Sequence, residues 1–258
     1  MKSLGFIIFI SFLLFSLPFH TVAKEKHPHI PSHVLNISKD NTFPNSTEQQ
    51  EILEAEDLTG ELIYESEVPV VNPELIKMLN GSTIKPSPIA IGYRGEIFLG
   101  RWPLSYSSKE SNINWEYQQI NTNELNNQVG RQTEEISYLQ QEEKTVNGGL
   151  TTKSKESEQI MRLILLEAQS HSKLPLSYKA VIGRGTEQPN KYAVPVDKVG
   201  QLKAFAPALN EKGEVAFGDV YIKLKGSKKM LEIKNVTRQN VGAWIPVQDH
   251  VSFSYELH

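Results

Sequence analysis

Hydrophobic and polar positions follow two different patterns on either side of residue 88. Before it, the chain is polar, acidic and punctuated by prolines, with candidates for two short helices. The first has a capping box of Thr47 and Gln50, and the second has Asn72 as its N-cap and Gly81 as its stop. Helices this short need a surface on which to dock. We therefore interpret residues 24–88 as a polar, partly ordered N-terminal region with short helices.

From residue 89 onward the pattern is typical of β-strands. Residues 113–118 alternate between apolar and polar side chains, the period of two expected of a half-buried strand. Residues 204–209 and 215–224 predict a hairpin whose turn lies at residues 210–213, which contain asparagine and glycine.

One helix interrupts these strands. A wide apolar stripe over residues 157–170 predicts a buried helix, and a proline lies beyond its end. One main helix among many short strands predicts an α+β fold that is mostly antiparallel β. We assign residues 89–258 to a single strand-rich globular domain.

The first residues have the layout of a secretory signal peptide. Lys2 precedes an uncharged apolar run over residues 4–17, and small residues follow it. The run is short for a membrane span, which needs about 20 residues. We expect cleavage between Ala23 and Lys24, which removes residues 1–23. The alternative is an uncleaved anchor, and both interpretations export the folded part.

Composition narrows the class of protein further. The 258 residues include 27 Lys and Arg, 30 Asp and Glu, and no cysteine. The resulting net charge of −3 argues against broad electrostatic binding to nucleic acid. An exported chain without disulfides favours a bacterial, extracytoplasmic protein. Because no second apolar run is long enough to cross a bilayer, we expect membrane contact only through an uncleaved signal.

Catalytic signatures are weak. Asp249 and His250 are the candidates for part of a catalytic triad, although neighbours on a strand point to opposite faces. Residues 82–85 and 170–173 have the Ser-x-x-Lys spacing of penicillin-binding enzymes, without the partner motifs of those enzymes. No catalytic residue is assigned, and no cofactor is expected.

Two other groups of side chains carry possible chemistry. His27, His29 and His33 lie close together, but prolines stiffen the segment and no carboxylate has ligand spacing. We therefore expect no metal site. Aromatic side chains on a sheet can form stacking platforms for sugars or peptides, although buried tryptophans are commoner. The binding candidates are Trp102, Tyr106, Trp115 and Trp244.

Four stretches carry a resemblance to a known family. They are residues 30–40, 102–106, 114–117 and 242–251. Together they resemble the YfkD-like family, exported proteins of Bacillus-type bacteria, from about Ile30 to Phe253. The resemblance implies a bacterial, exported protein with a similar fold. It implies no activity, cofactor or catalytic residue.

Two classes of function remain open at this point. The first is a non-catalytic binding or structural module at the bacterial cell envelope, with a cell-wall or surface-protein ligand. The second is an envelope-acting hydrolase whose site is assembled from distant residues. Because no sharp catalytic motif is present, the sequence favours the binding module.

Overall fold

The computed structural model describes residues 29–46, 55–82 and 94–258. In chain order the elements are β1 (Val34–Asn36), α1 (Asp57–Tyr64), α2 (Pro73–Asn80), β2 (Arg94–Asn126), β3 (Glu134–Leu139), β4 (Lys144–Asn147), β5 (Gly149–Leu150), α3 (Ser157–Ser172), β6 (Lys179–Ile182), β7 (Glu187–Val194), β8 (Val199–Lys225), β9 (Lys228–Pro246) and β10 (His250–Leu257). The protein is β-rich, its sheets are antiparallel and its helices are few, as the sequence predicts. The buried helix is present as α3.

β8 is the central strand of the main sheet. The strand order is β1-β10-β8-β9-β5, and β2 also pairs with β8. On one side β8 pairs with β2 along its length. On its other side it pairs first with β10 and then with β9. Two small sheets, β3 with β7 and β4 with β6, complete the strand pairing.

The predicted turn at residues 210–213 is wrong. Asn210 and Gly213 lie inside β8, hydrogen-bonded between β2 and β9. Gly213 serves packing instead of a turn, because a Cβ at this position would lie 2.5 Å from the Tyr106 hydroxyl. The hairpin that does form joins β8 to β9, and its turn has Gly226 at a φ of 58°. Pairing on both sides of β8 overrides the local turn signal.

Three cores cover β8 on alternating faces. We name the face of Leu202 face A and the face of Leu209 face B, since successive side chains of a strand point to opposite sides. At the start of β8, face A packs under β3 and β7, together with side chains of its paired neighbour β10. In the middle, face B packs under α3 through Leu209 and Val215. At the end, face A is buried again, under α1 and α2, through Val220 and Ile222.

This alternation leaves two parts of the sheet open. Face A is open in the middle of β8, where Asn210, Lys212 and Glu214 are half-buried or exposed. Face B is open at the end of β8, around Tyr221. Five register shifts along β2 and one along β9 accompany the right-handed twist of these long strands.

The N-terminal segments pack on this sheet. β1 pairs with β10 at the sheet edge. The predicted helix after Asn72 is confirmed as α2: the Asn72 side chain accepts hydrogen bonds from Glu74 N at 2.9 Å and Leu75 N at 3.3 Å. Its amide donates to the Pro103 carbonyl in β2 at 2.7 Å, which fixes the helix on the strand. The predicted capping box of Thr47 and Gln50 lies outside the described residues.

Within the part of the chain that the structure describes, no helix combines the length and the apolar composition needed to cross a bilayer. The predicted signal peptide and its cleavage site at Ala23 and Lys24 lie outside that part. Cleavage therefore stays a prediction.

Candidate functional site

The open middle of face A contains a groove of about 590 Å³. Its floor is a cross-strand row in which Glu110 of β2, Lys212 of β8 and Gly242 of β9 stand side by side. The next row, Asn112, Asn210 and Trp244, borders it. We call this feature the Trp244 groove. Its volume lies in the range of small-molecule binding sites.

An aromatic pair forms one wall of the Trp244 groove. Trp244 is half-buried and stacks on Tyr117, with ring centroids 4.8 Å apart and an interplanar angle of 27°. Tyr117 packs in turn against the core between β8 and the small sheets. The stack holds the indole ring in one orientation and limits the entropy that it loses when a ligand covers it.

The rest of the groove is polar and preorganised. The Glu110 carboxylate accepts hydrogen bonds from Asn112 Nδ2 at 2.8 Å and from Lys212 Nζ at 3.1 Å. A second ion pair lies beside it, with Lys109 Nζ 2.6 Å from Glu214 Oε1. These exposed pairs contribute little to stability, but they fix hydrogen-bonding groups of both kinds along the groove.

Gly242 keeps the floor open. A Cβ at this position would lie 2.8 Å from Thr151 Oγ1. Thr151 follows β5 and donates from its backbone N–H to the Gly242 carbonyl at 2.8 Å, which brings the edge of the sheet against the groove. The close approach of the Thr151 side chain explains the glycine.

The other predicted aromatics lie elsewhere. Trp102 packs on the core under α1 and α2, and its indole N–H donates to the Leu99 carbonyl at 2.9 Å. Tyr106 is buried under α3 at 7 % exposure. Trp115 lines a separate cavity of about 370 Å³ together with His29 and His171. Of the four predicted aromatic residues, Trp244 is therefore the one that lines the groove on face A.

Beneath α3 the structure buries a carboxylate that sequence reasoning missed. Glu211 is 1 % exposed, and its Oε1 accepts a hydrogen bond from the Tyr106 hydroxyl at 3.0 Å. Its Oε2 has no hydrogen-bond partner among the described residues. Burial and the nearby carboxylate raise the pKa of Tyr106 and of Tyr178, which donates to the Met161 carbonyl at 3.1 Å. Both phenols therefore stay protonated at neutral pH.

Asp249 and His250 have structural partners. Asp249 Oδ1 accepts hydrogen bonds from the side-chain amides of Asn41 at 2.9 Å and Asn45 at 2.8 Å. His250 is buried, with its Nδ1 2.8 Å from the Gln248 carbonyl. Within the described residues, neither side chain hydrogen-bonds to a serine hydroxyl or a lysine. The Asp249 contacts fasten the segment after β1 to the sheet.

The remaining sequence candidates do not assemble into a site in the part of the chain that the structure describes. Ser170 donates to the Glu167 carbonyl at 2.8 Å at the end of α3, and Lys173 is the left-handed C-cap of that helix. Ser82 follows α2, while Lys85 lies outside the described residues. No group of three or more His, Asp or Glu side chains in the described ranges has the arrangement of a metal site.

The fold and the Trp244 groove define an antiparallel β protein that presents an aromatic and polar surface on an open part of its sheet. The chain belongs to the YfkD-like family, whose model matches residues 31–258. This match confirms the resemblance seen in the sequence.

A relative in Bacillus subtilis (strain 168) aligns with the whole chain. It is described as uncharacterized protein YfkD and is 46 % identical over 261 residues, which cover 100 % of this chain and 98 % of the relative. No solved structure matches the chain.

Proposed function

We propose that the protein is exported and acts as a non-catalytic binding module of the bacterial cell envelope, with a saccharide chain as ligand of the Trp244 groove. The observation that carries the proposal is the stack of Trp244 on Tyr117 beside a row of preorganised polar side chains. A sugar ring offers C–H groups to an aromatic face and hydroxyl groups to amides and carboxylates. The groove holds both kinds of partner.

The position of the groove supports a polymeric ligand. Its floor crosses three strands on an open part of the sheet, from Glu110 through Lys212 to Gly242. A floor that spans three strands offers contacts to several successive units of a chain. The hydrolase alternative gains no support from the two triad candidates. Asp249 accepts hydrogen bonds from side-chain amides, and His250 contacts a backbone carbonyl.

Binding to purified, insoluble cell-wall material tests the proposal. We expect Trp244→Ala to weaken binding more than about tenfold, the loss of a central aromatic contact. Trp115→Ala is the matched control, because Trp115 is a half-buried tryptophan of the same sheet in another cavity. Its binding should stay within about twofold of wild type.

A second variant separates binding from folding. Asn210→Ala leaves the Trp244 and Tyr117 rings in place and removes one amide from the groove wall. We expect a loss of about three- to tenfold with an unchanged thermal midpoint. Wild-type retention on the wall by both Trp244→Ala and Asn210→Ala would show that the Trp244 groove is not the binding site.

Export has its own test. If the signal is cleaved as proposed, mass spectrometry of the protein recovered outside the cells should give Lys24 as its first residue. A chain that stays in the cytoplasm with Met1 in place contradicts export.

A further inference from the structure

Three cations stand side by side at the far end of the main sheet. Arg94 of β2 is directly opposite Lys225 of β8, and Lys225 is directly opposite Lys228 of β9. All three are exposed and share face B. Like charges directly opposite each other destabilise a sheet. We call these three residues the cationic row.

The rows next to it on face B show a different arrangement. There Lys223 pairs with Glu232 at 2.9 Å, Lys234 with Glu96 at 2.8 Å and Arg101 with Asp219 at 3.1 Å. No member of the cationic row has an acidic partner among the described residues. The segment directly before Arg94 adds no carboxylate, because residues 83–93 contain a lysine and no Asp or Glu.

An exposed aromatic ring lies on the same face. Phe98 is 56 % exposed and lies 5.0 Å, centroid to centroid, from Tyr221. It stands two rows from the cationic row, roughly 13 Å along the strand at 3.3 Å per residue. A cleft of about 450 Å³ lies beside the cationic row, and its lining residues are Arg94, Gly95, Glu96, Lys223, Leu224 and Lys225. Face B therefore presents three unneutralised cations and an apolar ring on the same end of the sheet.

We propose that this end of face B docks on an anionic phospholipid surface. Lipid phosphates neutralise the cationic row, and Phe98 enters the boundary between headgroups and acyl chains. A soluble polyanion satisfies the cations but gives an exposed phenylalanine nothing apolar to contact. The opposite face of the same strands is covered by α1 and α2, so among the residues that the structure describes face B is the exposed one.

The cationic row is separate from the Trp244 groove. The groove lies on face A at Lys212, and the cationic row lies on face B at Lys225. Failure of either binding test therefore leaves the other untouched.

Co-sedimentation of the full chain with phosphatidylcholine vesicles, with and without phosphatidylglycerol, tests the docking. The quantity to compare is the increase in binding caused by the anionic lipid, which excludes any contribution from a retained apolar N-terminus. We expect K225Q/K228Q to reduce this increase roughly 25-fold, at about fivefold for each cation near an anionic surface. The control K153Q/K155Q changes the net charge equally at two exposed lysines far from the row, and its binding should stay within about twofold.

A second comparison distinguishes a membrane from a soluble polyanion. Phe98→Ala should weaken vesicle binding about three- to tenfold and leave binding to soluble polyphosphate unchanged. Folding is preserved in K225Q/K228Q, since it relieves repulsion between paired strands. Equal losses in K225Q/K228Q and K153Q/K155Q, or a polyphosphate affinity that exceeds vesicle binding and ignores Phe98, overturn the proposal.

Discussion

The buried hydrogen bond between Tyr106 and Glu211 provides the sharpest test of how the region under α3 is held together. Tyr106 is 7 % exposed and Glu211 is 1 % exposed, and the phenol donates to Glu211 Oε1 at 3.0 Å. The other carboxylate oxygen has no hydrogen-bond partner among the described residues. Tyr106→Phe removes the donor and keeps the shape of the ring. We expect this single hydroxyl to contribute more to the free energy of unfolding than an ordinary buried hydrogen bond.

The magnitude follows from the charge of the acceptor. A hydrogen bond to a charged group contributes about 1.5–3 kcal/mol, compared with about 0.5–1.5 kcal/mol for a neutral pair. Tyr106→Phe should therefore lower the free energy of unfolding by about 1.5–3 kcal/mol. Tyr178→Phe loses a bond to the neutral Met161 carbonyl and should lower it by about 0.5–1.5 kcal/mol.

Urea unfolding at neutral pH, followed by tryptophan fluorescence, measures both losses. Glu211→Gln completes a double-mutant cycle, because its side chain is neutral and nearly the same size. In the Glu211→Gln background, Tyr106→Phe should cost only the neutral value, which leaves a coupling of about 1 kcal/mol. Unchanged m-values confirm that the variants unfold from the same compact state.

Two results refute the reasoning. One is a loss below about 0.5 kcal/mol for Tyr106→Phe, which means that the carboxylate finds another donor or water. The other is an equal loss in the wild-type and Glu211→Gln backgrounds, which means that charge plays no part.

Three further predictions concern pH, packing and capping. Burial raises the folded-state pKa of Tyr138 as it does for Tyr106 and Tyr178, so stability is full below the unfolded pKa near 10 and falls as pH rises above it. Above that pH, the free energy of unfolding measured in urea should fall by about 4 kcal/mol per pH unit, and Tyr138→Phe should remove about a third of this slope. A free energy that does not change with pH would contradict burial of the phenols. Gly213→Ala should lower the free energy of unfolding by about 1–3 kcal/mol, because the new Cβ meets the Tyr106 ring. The control Gly149→Ala, whose Cβ has no atom within 4 Å, should lower it by less than about 1 kcal/mol. Equal denaturation midpoints for the two variants would argue against the close contact at Gly213. Asn72→Ala should cost about 1–2 kcal/mol and expose α2 to hydrogen exchange, and unchanged exchange would show that the cap is dispensable.

Local signals predicted α2 and α3, but they did not predict α1. The helix after Asn72 was predictable because its N-cap and first-turn proline act within four residues of each other. The α3 helix was predictable because its wide apolar stripe repeats over four turns, and it ends only two residues beyond the predicted position.

The same local reasoning gave a wrong prediction for the long strand β8. Asn210 and Gly213 carry turn chemistry, yet they lie in the middle of a 27-residue strand. Burial along β8 also changes face twice, so no single period of two runs through it. The sequence shows the strand residues but not which neighbours cover them.

The candidate site was predictable in part. The aromatic residues of the sequence included Trp244 as a binding candidate. They gave no reason to prefer it over Trp102, which packs against a core. The polar partners Glu110 and Lys212 come from strands about a hundred residues apart in the chain and meet only through register. The buried Glu211 had no sequence signal, since its neighbours in β8 are polar too.

By itself the sequence determined the β-rich antiparallel class, α2, α3, the absence of disulfides and membership of the YfkD-like family. These properties depend on composition, or on caps and periodicity that act over a few neighbouring residues. The tertiary structure alone decided which face of each strand is open, and so it created the Trp244 groove and the cationic row. Twist, bulges and register bring together residues such as Arg94 and Lys225, and these depend on the summed pairing and packing of the whole sheet.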